Sequence, residues 1–221
     1  MFAKRLATLA LAALLAGAGL CAPAHAASTP AIAAFESAFA SINDYTFDLR
    51  SHEVKGNSAQ DRVYQYWFMK PHYAKTLIRS GDGSGSGGVW AGGDQVSGHQ
   101  GGFLSGLHLK VSIHDGRATS LLGYTIPDGL LQNVVALYRD TPGTLTQHVG
   151  GKIDGVSTEM VELVPSNPAS MNGATRCMIY FSTATHLPVR NIFYSGSSAI
   201  LDQSFNNLKT NVGLTQNDFP F

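Results

Sequence analysis

The sequence predicts a mainly β fold with some α: a curved antiparallel sheet of about ten short strands, a half-barrel closed by two or three helices. Three observations predict it. Period-two alternation dominates from residue 45 onward and is interrupted by one helical stretch. Glycine is abundant, 24 of 221 residues, and gathers at the joints between alternating runs. Charged residues make up only 14%, against roughly 25% in soluble domains, so a large share of the chain is available to face a core.

The first 26 residues stand apart from the fold. Lys4 and Arg5 form a short positive region, Leu6 to Leu20 is an apolar run too short for an ordinary membrane span, and Ala24-His25-Ala26 is an A-x-A cleavage signal. This predicts a secretory signal peptide over 1-26, a single domain over 27-221, and a periplasmic protein without stable membrane insertion. The removed segment carries no acid, so the remainder of a chain with 15 basic and 15 acidic residues is slightly acidic. Cys177 is the one cysteine that survives cleavage, which excludes an internal disulfide.

Thr29 can cap a helix, Pro30 suits its first position, and Ile32, Phe35, Phe39 and Ile42 recur at helical spacing, predicting a helix over 30-43. Tyr45, Phe47 and Leu49 then alternate with polar residues as a strand that turns near Lys55-Gly56-Asn57. Residues 62 to 69 are apolar or aromatic on both parities, which demands cover on two sides. Tyr73 to Arg79 continues as a strand, Gly81 to Gly88 is a flexible hairpin connection, and Val89-Trp90-Ala91 is a short strand before a tight turn. Leu107, Leu109, Val111 and Ile113 alternate with His108, Lys110 and Ser112, giving a strand with one wet face. Leu130, Leu131, Val134, Val135 and Tyr138 return to helical spacing over 128 to 139. Strands follow over about 144-152, 155-164, 174-182, 188-195 and 199-209, with hairpin turns at Asp154-Gly155 and Gly196-Ser197-Ser198.

Apolar helices beside so many strands have a place on the concave side of the sheet, and such an arrangement encloses an apolar space suited to small or fatty ligands. Trp67, Met69, Leu107, Leu109, Val111 and Ile113 are expected to line it.

The order of elements and several phrases resemble the LolA/LolB-like superfamily of periplasmic lipoprotein carriers. The phrases are the leader with its following amphipathic helix, Met69-Lys70-Pro71, the helical interruption from Asp128 to Tyr138, and the end of the chain. That end runs from Leu187-Pro188-Val189-Arg190 through Phe205-Asn206-Asn207-Leu208 to Asn211-Val212-Gly213-Leu214 and Asp218-Phe219. The resemblance implies a helix-closed half-barrel that holds a lipid or acylated, lipoprotein-like ligand in an apolar cavity. The alternative is an envelope sensor or protein-interaction module that uses the same half-barrel on envelope proteins.

The residues make no catalytic constellation. No run of basic residues suits a nucleic acid. No closely spaced His/Cys set suits a metal, and His108 and His114 lie roughly 20 Å apart by strand rise. Gly83-Ser84-Gly85-Ser86-Gly87 matches a nucleophile string but sits in a glycine turn between strands, with no helix behind it. Glu159 and Glu162 fall on opposite faces of one strand, and Cys177 lies among apolar neighbours as a small buried thiol. The expectation is therefore a binding protein: no enzyme, no catalytic residues, no metal and no cofactor.

Overall fold

The computed structural model describes residues 28–102 and 106–220. The expected signal peptide lies outside the described residues. Helix α1 (Pro30–Ala40) begins as expected, with the Thr29 hydroxyl accepting from the Ile32 amide and Pro30 in the first turn. Eleven strands follow in one antiparallel sheet: β1 (Asp44–Lys55), β2 (Ser58–Met69), β3 (Tyr73–Gly81), β4 (Gly87–Trp90), β5 (Gln95–His99), β6 (His108–Ser112), β7 (Gly143–Ile153), β8 (Val156–Pro165), β9 (Arg176–Ser182), β10 (Pro188–Ser195) and β11 (Ser198–Thr210). Between β6 and β7 lie a turn of 3-10 helix (Pro127–Gly129) and helix α2 (Leu131–Asp140).

The strand order is β6-β5-β4-β3-β2-β1-β11-β10-β9-β8-β7, so the sheet has two meandering arms joined where β1 pairs with β11. The joints obey local turn chemistry. Asp154 and Gly155 both take positive φ, 48° and 83°, as a two-residue hairpin loop requires, and they link Ile153 to Val156 directly. The sheet is open and curved, with edges at β6 and β7.

Register sets the inner face. Across the β1–β2 hairpin Tyr45 pairs with Phe68, Phe47 with Tyr66 and Leu49 with Tyr64, and on the other side Leu49 pairs with Phe205. Both helices pack on this face. Phe35 of α1 meets Phe181 with ring centroids 6.0 Å apart, and Tyr138 of α2 meets Phe193 edge-on at 6.3 Å. Two buried tyrosines tie α2 down. Tyr45 donates to Gln132 Oε1 at 2.8 Å and accepts from the Leu131 amide, and Tyr138 donates to Asn191 Oδ1 at 2.6 Å. Burial raises both phenol pKa values well above the ordinary range, so both hydroxyls keep their protons.

Two expectations about local structure change. The helix expected from 128 starts at Leu131, because Asp128 is occupied as an acceptor from the Thr125 amide and hydroxyl and closes the preceding turn. The strand expected over 107 to 113 is only β6. Leu107 precedes it at 52% exposure and Leu109 is 38% exposed, since β6 is the outermost strand of its arm.

Candidate functional site

The inner face is not filled evenly. Beyond Ala74, the first arm places no buried strand residue in the contiguous core; Ile78, Val89 and Val96 are buried outside it. The reason lies in β4 and β5. Their inward positions include Gly88 and Gly98, paired opposite each other, so this patch of sheet presents no side chain. A Cβ on Gly88 would come within 3.0 Å of Ile126 Cδ1, and one on Gly98 within 2.7 Å of the Gly87 carbonyl.

Above that floor the segment from Asp115 to Ile126 arches back over the sheet. Its far end is pinned by backbone donors: the Leu121 amide gives to Gln60 Oε1 at 3.0 Å and the Leu122 amide to Glu53 Oε2 at 2.8 Å. At its near end Arg117 donates to both carboxylate oxygens of Asp115 two residues before it, closing a local turn and holding that carboxyl well below the usual range. Between arch and sheet remains a cavity of about 440 Å³, open to solvent, within the range of small-ligand sites. Tyr64, Tyr66, Ile78, Val96 and Ile126 wall it, with Arg62 among the lining side chains. A smaller space of about 40 Å³ adjoins it inward and shares Tyr64, Tyr66 and Tyr124 with it. Its other walls include Ser51, Glu53, Asn191 and Gln203, all buried.

The six residues expected to line an apolar space are separated. Leu109 and Val111 do line the cavity. Leu107 and Ile113 flank β6 and are not among its walls; the Ile113 amide donates to the Asp94 carbonyl. Trp67 and Met69 are corrected to the outer face: Tyr64, Tyr66 and Phe68 take the inward parity of β2, so Trp67 points away and carries the Lys75 ammonium 4.6 Å from its ring. The last residues of the chain run across that outer side, where Lys75 donates to the Asp218 carbonyl and Phe219 packs on Tyr73. Tyr64, Tyr66, Ile78 and Val96 were missed, although one signal could have found the tyrosines. A two-residue turn at Gly56-Asn57 pairs β1 and β2 so that the apolar parity of Tyr45, Phe47 and Leu49 faces the even residues of β2.

Cys177 is wholly buried on β9, and burial pushes its thiol up to about 12, so it stays protonated at neutral pH. Ser84 and Ser86 stand in the β3–β4 turn, where Ser86 Oγ accepts from the Gly101 amide. Glu159 accepts from Gln147. Among the described residues no group of three His, Cys, Asp or Glu side chains could hold a metal ion, and no helix is long and apolar enough to cross a membrane.

No family model and no curated protein matches the chain. Solved structures do. An uncharacterized conserved protein from Thermus thermophilus is similar over 86% of this chain and 90% of its own, with a TM-score of 0.55 and 9% identity. MucB is similar over 88% of this chain and 64% of its own, with a TM-score of 0.50 and 11% identity. A LolA superfamily protein from Nitrosomonas europaea matches over 88% of this chain and 99% of its own, with a TM-score of 0.39 and 11% identity. The first two are likenesses of fold. The chain has the open, helix-covered half-barrel that the resemblance to LolA/LolB-like proteins implies.

Proposed function

We propose that the protein is a periplasmic carrier or binding protein for a lipid or acylated ligand, held between the arch and the first arm of the half-barrel. The observation that carries the reading is the open cavity of about 440 Å³, walled by tyrosine and aliphatic side chains over a floor of paired glycines. Export rests on the leader sequence, and mass analysis of the mature protein is expected to give Ala27 as its first residue. An intact Met1 or a lipid on Cys21 would overturn that assignment.

Ligand binding is tested by displacement of a fluorescent fatty acid, run beside thermal melting. Val111→Glu places a carboxylate in the cavity wall and is expected to weaken binding at least about tenfold while the chain still folds, since the charge keeps contact with water. Lys110→Glu, on the outward parity of the same strand, is the control and is expected to bind as the parent does. A folded Val111→Glu variant that binds like the parent sinks the cavity reading.

The second reading is an envelope sensor or protein-interaction module. The free edge of β7 favours it, where Val149 is 92% exposed beside strand groups open to pairing. A parent that binds no fatty probe shifts the assignment to this module.

A further inference from the structure

The two spaces under the arch carry opposite charges that are not paired with each other. Glu53 is on the inward face of β1, opposite Gln60 and Leu201, and is only 3% exposed. Its Oε2 is used by the Leu122 amide, which anchors the arch. Among the described residues its Oε1 has a single partner, the Ser51 hydroxyl at 3.5 Å, beyond the ordinary length of such a bond. A buried carboxylate with so little compensation is costly unless another donor reaches it. The adjoining space of about 40 Å³ is where that donor would sit, and its size suits an ammonium group or a water.

Arg62 stands two residue pairs away on β2, opposite Ser51, and lines the larger cavity. Its guanidinium is turned from Glu53: it donates to the Tyr64 hydroxyl at 3.0 Å and to the Asp82 carbonyl at 2.8 Å. Among the described residues it has no carboxylate partner within ion-pair distance. Tyr64 lines both spaces and feels both charges. Burial raises its pKa, the Arg62 hydrogen bond lowers it, and the Glu53 charge raises it further. Asp128, the other acid at the inner space, is occupied by Thr125.

We propose that the ligand is a zwitterionic amphiphile of the phosphoethanolamine type. Its ammonium bonds Glu53 in the inner space, its phosphate meets Arg62, and its chain lies against Ile78, Val96, Leu109 and Val111 toward the opening. A guanidinium recognises a phosphate through paired N–H donors, and an ammonium supplies the donors that Glu53 lacks. Glu53 and Arg62 stand only two residue pairs apart on neighbouring strands, which calls for a short linker between the two ligand charges. This inference rests on the carrier reading and names the ligand class of the same cavity.

The test compares two single-chain lipids, lauroyl lysophosphatidylethanolamine and lauroyl lysophosphatidylglycerol, as competitors of the fluorescent fatty acid. They share chain and phosphate and differ in the ammonium. The parent is expected to bind the ethanolamine lipid at least about tenfold tighter. Glu53→Gln is expected to abolish that preference and leave the glycerol lipid unchanged, whereas Arg62→Gln weakens both lipids alike. Glutamine keeps an acceptor for the Leu122 amide, so the variant should fold; if it melts early, the preference of the parent between the two lipids decides alone. Equal binding of both lipids, or fatty-acid binding that neither displaces, overturns the zwitterion assignment and leaves the carrier reading standing. No binding of any probe overturns both.

Discussion

The two arms of the sheet have nearly the same number of strands and meet at the β1–β11 pair, yet one is packed and the other is hollow. In the second arm the inward positions from Val161 to Leu163 on β8 and from Cys177 to Phe181 on β9 carry side chains that fill the space against the helices. Val161, Leu163, Cys177, Ile179 and Phe181 are all fully buried in the contiguous core. In the first arm the same face runs from the aromatic ladder of β2 to Ala74 and Thr76, then to glycines on β4 and β5, and finally to the exposed strand β6. Among the described residues both helices cover the second arm and the β1–β2 hairpin, and the arch covers the rest. Hollowness follows from that division. Where a helix supplies large side chains the gap fills, and where a thin loop spans a bare floor it cannot.

The largest expected effect is a break in the packed arm. Phe181→Ala removes a ring with no exposure that packs against Phe35, and is expected to cost about 3–5 kcal/mol in denaturant unfolding, with ligand affinity of the folded fraction unchanged. A loss of affinity without a loss of stability would mean that the second arm also holds ligand. Truncating the hollow arm is expected to do the opposite. Ile78→Ala already faces open space on one side, so it should cost no more than about 2 kcal/mol, near the low end for such changes, while shifting the fatty-acid affinity. If it destabilises as much as Phe181→Ala, the first arm is packed and the comparison fails.

A smaller effect sharpens the contrast through pH. Burial raises the Cys177 thiol to about 12, above the ordinary value near 8.5 that it regains on unfolding, so the folded state favours the protonated form. Its contribution is complete below the unfolded pKa and is lost as pH rises from there toward the folded one. Unfolding curves at pH 8 and pH 10 should therefore show a fall in stability that is shallower in Cys177→Ala. Equal falls in the two proteins would show that the thiol is not shielded. At neutral pH the native thiol should react slowly with a thiol reagent and quickly once unfolded.

Much of this architecture was legible in the residues. Thr29-Pro30 marked the start of α1, strict alternation marked β1, and Asp154-Gly155 marked the β7–β8 hairpin, because each is a local rule of backbone sterics or side-chain parity. The same locality explains the errors. Leu107 to Ile113 has the cleanest alternation in the chain, and alternation states that two faces differ without stating that either is covered. Trp67 and Tyr66 are both large and aromatic, so composition could not decide which faced inward; the pairing of Phe47 with Tyr66 did.

The sequence by itself determined the strand-rich class and the places of the first helix start and of the hairpin turns, since these depend on neighbours within a few residues. The tertiary structure alone decided where the hollow lies. It brought Gly88 opposite Gly98, carried the Leu121 and Leu122 amides to Gln60 and Glu53, 61 and 69 residues away in sequence, and set Glu53 and Arg62 on one inner wall without pairing them. A cavity is the absence of atoms among segments distant in the chain, and only their packing reveals it.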